Sequence, residues 1–199
     1  GSVIPLFVNQ LRTGQPLTIT DPSMTRFMMT LDDAVDLVLY AFEHGNPGDI
    51  FVHRNVANMV VHTDINLLSV LQYAVEVLEV KHIIVCGHYN CGGVKAAMTN
   101  HDFGLINKWL RNIKEVYEKH FTELHTIEDE QLRFNKLVEL NVAEQIQNLA
   151  KTTIVQKAWA KLQFPHLHGW VFDIHHGQIK EVLNINAGEW ESPVFKYEF

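Results

Sequence analysis

Short apolar segments alternate with amphipathic ones along most of this chain, and that alternation restricts the fold more than any other feature. Residues 16–20, 49–53 and 81–87 (PLTIT, DIFVH and KHIIVCG) have the β-branched and aromatic content of buried strands. Between them, apolar residues recur at helical spacing from Thr30 onwards and over residues 64–78. The alternation predicts an α/β fold, in which a mainly parallel sheet is flanked by helices.

The second half of the chain continues the helical pattern and then returns to strands. Residues 104–119 predict one amphipathic helix, and residues 128–161 predict a longer helical stretch broken into two. Residues 167–174 and 179–185 read as strands on either side of His176-Gly177, which predicts a hairpin.

Bulk composition excludes several classes of protein. A formal net charge of -7 removes the basic surplus with which nucleic-acid-binding proteins contact phosphates, so we expect no nucleic-acid partner. No apolar run approaches the roughly 20 residues that span a bilayer. The two cysteines fit a reducing compartment. We therefore expect a soluble cytoplasmic protein without a membrane partner, and we read Gly1-Ser2 as the remnant of a cleaved tag.

The chemistry of the chain is concentrated where the third predicted strand ends. His88 and Cys91 are separated by two residues in a glycine-rich turn, a spacing that lets an imidazole and a thiolate meet at one Zn²⁺ ion. Gly92 and Gly93 leave room for the backbone to approach a ligand. Alone, a His-x-x-Cys pair is a weak signal that arises more often by chance than as a metal site.

The surrounding residues resemble a known family. Residues 48–97 contain GDIFVHRNVANMVVHTD and NLLSVLQYAVEVLEVKHIIVCGHYNCGGVKAA, and this succession resembles the β-carbonic anhydrases. The similarity continues through residues 104–120, 139–148 and 168–174 (GLINKWLRNIKEVYEKH, ELNVAEQIQN and HGWVFDI). The resembling region extends over about residues 48–187.

The resemblance implies a zinc enzyme that hydrates CO2 reversibly to bicarbonate. In this family two cysteines and one histidine hold Zn²⁺, with water or an aspartate in the remaining position, so His88 and Cys91 are implied ligands. Gly92 and Gly93 are implied to border the substrate. The family forms dimers or tetramers, which implies an even homo-oligomer here.

The first quarter of the chain departs from the family. The family's other zinc-binding cysteine lies in a C-x-D-S-R motif that this sequence lacks. Instead, residues 4–52 resemble the C-terminal part of nucleotide-sugar dehydratases of bacterial polysaccharide synthesis. The chain therefore resembles a chimera, in which residues 1–52 supply a grafted strand-helix-strand segment and residues 53–199 form the β-carbonic anhydrase-like core.

Two residues of the first segment are candidates for the missing functions. Asp21 follows the first predicted strand near the place of the missing cysteine, where a carboxylate can ligate zinc. An aspartate before Pro22 more commonly caps a turn. Arg26 either takes the role of the motif's missing arginine or is a mobile surface side chain, and the surface role is the commoner.

Other polar residues of the β-carbonic anhydrase-like core are weaker candidates for a functional role. Cys86 shares a strand face with His88, yet a cysteine inside IIVCG is usually a small core residue. Arg54 is similar to an arginine that some family members use in a regulatory bicarbonate pocket, although the companion tryptophan and tyrosine are absent. His166 and His168 share a strand face, and structural or solvent roles are commoner for them than metal binding.

Three functions remain open at this point. The first is a zinc-dependent carbonic anhydrase with impaired activity, because a thiolate ligand and the aspartate-arginine pair are missing. The second is an inactive chimeric scaffold that keeps the fold and the oligomer-forming surfaces without metal. The third is another zinc-dependent hydrolase of small molecules on the same scaffold.

Overall fold

The computed structural model describes residues 51–199, whose centre is a three-stranded sheet. The strands are β1 (His82–His88), β2 (His166–Asp173) and β3 (Gln178–Ile185), in the order β1-β2-β3. β1 pairs with β2 in parallel, and β2 pairs with β3 antiparallel. The predicted third strand, the predicted hairpin and the α/β fold are confirmed, and the sheet over these residues has one parallel and one antiparallel pair of strands.

The helices follow the predicted pattern with well-defined ends. They are α1 Ile65–Gln72, α2 Gly92–Ala97, α3 Asn107–Lys119, α4 Phe121–His125, α5 Glu130–Ala150 and α6 Thr153–Leu162. A π-helical turn, Tyr73–Val77, extends α1, and 3-10 turns occupy Val56–Asn58 and Gly104–Ile106. The predicted break between α5 and α6 is confirmed, because the Thr152 hydroxyl accepts the N–H of Val155 and starts a new helix.

Helix α5 covers one face of the sheet and forms the centre of the core. The backbone approaches most closely at two glycines: a Cβ added to Gly87 on β1 would lie 2.6 Å from Val142 Cγ2 of α5. A Cβ on Gly169 of β2 would lie 3.1 Å from both Ile146 and Val142. Because neither glycine has a side chain, α5 lies directly against β1 and β2. Fully buried apolar residues of this layer include Ile113, Leu137, Val142, Ile146, Leu167 and Val171.

The opposite face of the sheet is open to solvent over much of its area. Residues alternate between faces along a strand, so Val85 and Gly87 face α5 while Ile84 and Cys86 point the other way. Ile84 is 47% exposed, and Cys86 is exposed as well. The interpretation of Cys86 as a small core residue is therefore wrong, since the IIVCG segment is buried on one face only.

Several predicted elements fall at or beyond the limit of the described residues. The strand predicted over 49–53 is not formed at residues 51–53, where the backbone is irregular and Phe51 and Val52 are 48% and 57% exposed. A strand needs a neighbour for its backbone groups, and within residues 51–199 no strand pairs with this segment. The strand over 16–20 and the helix from Thr30 lie outside the described residues, so the boundary between residues 52 and 53 stays a prediction. None of the helices within residues 51–199 is long and apolar enough to cross a membrane.

Candidate metal centre

The end of β1 brings the two predicted ligands together. His88 is the last residue of β1, and Cys91 is the residue immediately before α2. The chain turns between them through Asn90, which adopts a left-handed backbone conformation (φ 60°). The N–H of Tyr89 donates to the carbonyl of Phe172 on β2 at 3.1 Å, which attaches the turn to the sheet. The His88 imidazole and the Cys91 thiol are close enough that each shifts the pKa of the other.

The two side chains shift each other's pKa values in opposite directions. Burial would raise the pKa of the Cys91 thiol, but the interaction with His88 and hydrogen bonds from the backbone N–H groups of Val94 and Gly93 outweigh it, and the pKa falls below its ordinary value. The interaction with Cys91 raises the pKa of His88, which burial opposes. The pair therefore stabilises a thiolate beside an imidazolium, and a metal ion would have to displace the imidazolium proton.

A backbone contact orients the His88 ring. Its Nδ1 lies 2.8 Å from the carbonyl oxygen of Tyr89, and a carbonyl only accepts, so Nδ1 carries the proton. A cation would therefore bind at Nε2, once that nitrogen has released its proton. A second hydrogen bond that fixes the tautomer is typical of metal-binding histidines.

The two glycines after Cys91 have different surroundings. A Cβ on Gly92 would meet nothing within 4 Å, so that position is open. A Cβ on Gly93 would come within 3.0 Å of Val56 and 3.4 Å of Ala57. Gly93 therefore permits close packing of the turn against the 3-10 segment Val56–Asn58, which sequence analysis had not associated with the site.

That segment has an unusual backbone held by one buried and one partly buried side chain. Ala57 and Asn58 both adopt left-handed conformations (φ 61° and 49°), which cost free energy in residues other than glycine. The Asn141 side chain donates to the carbonyl of Ala57 at 3.1 Å, and Trp109 Nε1 donates to the carbonyl of Val56 at 2.8 Å. These contacts fix the backbone on which the Cys91 turn rests.

A second polar group lies behind the turn. The Tyr89 hydroxyl donates to Glu139 Oε1 at 2.6 Å, and Lys180 Nζ donates to the same oxygen at 2.7 Å. Burial and the carboxylate of Glu139 raise the pKa of Tyr89, so the phenol stays protonated. The network ties the turn to α5 and β3. No sequence pattern had indicated it, because its members are far apart along the chain.

Of the predicted site residues not yet placed, Arg54 alone falls within residues 51–199. Arg54 is an exposed residue of the irregular segment before Val56. Asp21 and Arg26 lie outside the described residues. Over residues 51–199 no group of three His, Cys, Asp or Glu side chains is arranged to hold one ion. The described part of the centre thus comprises the imidazole of His88 and the thiol of Cys91.

An α/β sheet whose first described strand ends in a paired imidazole and thiol defines a protein with a candidate metal centre at the sheet edge. Residues 40–179 match the family described as carbonic anhydrase. A carbonic anhydrase of Emericella nidulans is 54% identical over 139 residues, which are 70% of this chain and 60% of that protein. A tetrameric β-carbonic anhydrase of Sordaria macrospora superposes with a TM-score of 0.66 at 40% identity, over 73% of this chain and 75% of that one.

The chain belongs to the β-carbonic anhydrase family. It spans 60% of the length of the Emericella nidulans relative.

A second group of relatives matches a shorter stretch. A UDP-glucose 4-epimerase of Rickettsia rickettsii is 68% identical over 60 residues, which are 30% of this chain and 18% of that protein. Nucleotide-sugar enzymes are thus similar to part of the chain, whereas the dehydratase resemblance of residues 4–52 stays a prediction.

Proposed function

We propose that the chain binds one Zn²⁺ ion through His88 and Cys91 and catalyses the reversible hydration of CO2 with impaired activity. The observation that carries the proposal is the convergence of the His88 imidazole and the Cys91 thiol at the end of β1. Nitrogen and sulfur donors suit zinc.

The two donors differ in how readily they take the form that zinc binds. Zinc binds thiolate sulfur and a neutral imidazole nitrogen, and the lowered pKa of Cys91 favours the thiolate, whereas the raised pKa of His88 means that zinc has to displace a proton from that ring. When bound, zinc lowers the pKa of a coordinated water to about 7 and so supplies hydroxide at neutral pH. The protein then has to keep one side of the ion free, and the open space at Gly92 is consistent with access for a small molecule.

The expected activity depends on which residues complete the zinc site beside His88 and Cys91. Structural and catalytic zinc sites ordinarily have at least three protein ligands. In place of the missing cysteine we propose Asp21, with Arg26 as a weaker candidate for the lost arginine, and Arg54 as a contributor to bicarbonate binding. A carboxylate ligand in place of a thiolate leaves the ion more electropositive and the site weaker. We therefore expect turnover well below that of a typical family member.

Zinc analysis and a stopped-flow CO2 hydration assay test the proposal. The protein is loaded with Zn²⁺, dialysed and analysed beside His88→Ala and Cys91→Ala, with Cys86→Ser as the matched control because Cys86 is the other cysteine. We expect about one zinc per chain in the parent and in Cys86→Ser, and little in the other two. Hydration activity that survives His88→Ala undiminished would refute the proposal, and full family-level turnover would refute the impairment.

A second candidate function follows from the small number of donors. The described residues supply two ligands, and two protein ligands seldom hold zinc tightly. An inactive chimeric scaffold, in which a nucleotide-sugar enzyme segment is joined to the anhydrase core, would then retain only the fold and the surfaces for assembly. Absence of zinc from protein purified and dialysed after zinc loading favours this function over the first.

Assembly is proposed to be an even homo-oligomer. The Sordaria macrospora relative is described as tetrameric. Large apolar side chains of the present chain are exposed on the described surface, with Leu105, Ile65 and Val77 exposed by 86%, 71% and 62%. Size-exclusion chromatography with light scattering should give a dimeric or tetrameric mass, and a monomer at micromolar concentration would contradict the expectation.

A further inference from the structure

Three histidines meet on the solvent-facing side of the sheet, at the end of β1 opposite to His88. His82 begins β1 and lies directly beside His166 of β2 in the parallel register, while His168 lies two residues further along β2 on the same face. Six residues of extended strand separate His82 from His88, about 20 Å at the usual rise per residue. This group is therefore distinct from the proposed zinc centre.

The distances within the group are close to those of a chelating site. The His82 ring lies 5.4 Å from the His166 ring and 5.2 Å from the His168 ring, centre to centre. His82 Nδ1 lies 3.0 Å from His168 Nε2. That contact is a hydrogen bond, and two nitrogens bound tetrahedrally to one Zn²⁺ ion are about 3.3 Å apart, so an ion would take the place of the shared proton and the rings would rotate to face it.

The neighbours of the group orient one ring and leave an atom of another unpaired. Asn184 Oδ1 of β3 lies 3.1 Å from His168 Nδ1, which places the proton on Nδ1 and the lone pair on the Nε2 that faces His82. His166 Nδ1 is buried and has no hydrogen-bond partner in the structure. A buried polar atom without a partner carries a free-energy cost that a ligand would remove.

The third member of the group comes from β1. The sequence favoured structural or solvent roles for His166 and His168, and the residue that changes the assessment is His82, which only the strand register brings beside them.

We propose that His82, His166 and His168 form a second metal site for a divalent transition ion that imidazole favours, such as Zn²⁺ or Ni²⁺. His82 Nδ1 and His168 Nε2 are the first two ligands. The three side chains do not yet surround one point, so His166 completes the site by a rotation of its ring. Water fills the remaining positions, since the face is solvent-exposed.

Calorimetric titration with Ni²⁺ tests the site, with the full chain carrying His88→Ala and Cys91→Ala so that the proposed zinc centre does not contribute. We expect one ion per chain, with binding lost in His82→Gln and in His168→Gln. The matched control is His101→Gln, because His101 is an exposed histidine outside the sheet whose ring contacts that of Phe103. Equal binding by His82→Gln and the control would overturn the proposal.

A variant of Asn184 distinguishes an organised metal site from unrelated surface histidines. Asn184→Ala removes the oxygen that orients His168 and should weaken Ni²⁺ binding by about 10–100-fold, whereas Asn186→Ala, just beyond β3, should leave it unchanged. Equal Ni²⁺ affinities for Asn184→Ala and Asn186→Ala would overturn the proposal. Circular dichroism of each variant verifies the fold.

Discussion

The Gln145 side chain on α5 accepts a hydrogen bond from the backbone N–H of Val60 at 2.8 Å, although 85 residues separate the two in sequence. Gln145 is completely buried, and its amide also donates to Asn141, which in turn holds the carbonyl of Ala57. A buried polar chain thus connects the central helix with the strained segment beneath Cys91. Local stability and the geometry of the candidate metal centre therefore depend on the same few side chains.

Replacing Gln145 by methionine should destabilise the protein by about 1–3 kcal/mol, because the buried N–H of Val60 loses its acceptor while the volume changes little. Urea unfolding measures the change. The matched control is Gln131→Met on the same helix, since the Gln131 side chain is exposed and bonds only to exposed neighbours. Equal losses in the two variants would contradict the role assigned to the buried network.

Gly87→Ala should destabilise the fold by about 1–3 kcal/mol, because its Cβ would overlap Val142 of α5 and force the helix from the sheet. Gly92→Ala places the same methyl group in open space and should change stability by less than about 0.5 kcal/mol. Thermal unfolding of both variants gives the comparison. A neutral Gly87→Ala would mean that α5 does not lie as close to β1 as described.

Glu144 should make stability depend on pH in the acid range. Burial would raise the pKa of its carboxyl, but Lys119 at 2.6 Å and Lys151 at 3.3 Å outweigh burial, and the pKa lies below its ordinary value of 4.5. A depressed pKa in the folded state stabilises the fold above the unfolded pKa, and this contribution disappears as pH falls through the folded pKa.

Glu144→Gln should therefore lower the free energy of unfolding by roughly 0.5–1 kcal/mol at pH 7 and reduce the loss of stability on acidification below pH 4.5. Urea unfolding at a series of pH values measures both effects. Glu115→Gln serves for comparison, since that carboxylate forms an exposed pair with Arg111. If Glu144→Gln lost as much stability below pH 4.5 as the parent protein does, the two lysines would not depress the pKa of Glu144.

Zinc should protect one of the two cysteines from alkylation. Cys91 is buried beside His88 and is the proposed ligand, so bound zinc should slow its reaction with iodoacetamide at least several-fold. Cys86 is exposed on the open sheet face, and its reaction should be unaffected by zinc. Peptide mass spectrometry after timed labelling distinguishes the two sites. Equal zinc protection of both thiols would indicate a different ligand arrangement.

Local periodicity and capping residues were sufficient to predict most of the described core. β1, the hairpin of β2 and β3, and the division between α5 and α6 follow from patterns that extend over a few residues, as does the start of α1 at Asp64. The orientation of Cys86 was not predictable, because a strand buried on one face and a strand buried on both have the same apolar composition here. The strand predicted over 49–53 is absent at residues 51–53 for a related reason, since apolar content does not supply a pairing partner.

The candidate centre was predictable only as far as its own turn. His88 and Cys91 are three positions apart, and their convergence depends on one strand end and one left-handed residue, Asn90. The supporting contacts of Asn141 and Trp109 with residues 56 and 57 join segments distant in sequence, so no local pattern indicates them.

The parallel pairing of β1 with β2 has a consequence for how the protein is made. The first strand leaves the ribosome before helices α2 to α6, and its hydrogen-bonding partner emerges only after all of them. Closing so long a loop is entropically costly, so we expect the sheet to assemble late in synthesis, after the helical segments have begun to form. A nascent chain that stalls before His166 would present its unpaired edge to chaperones.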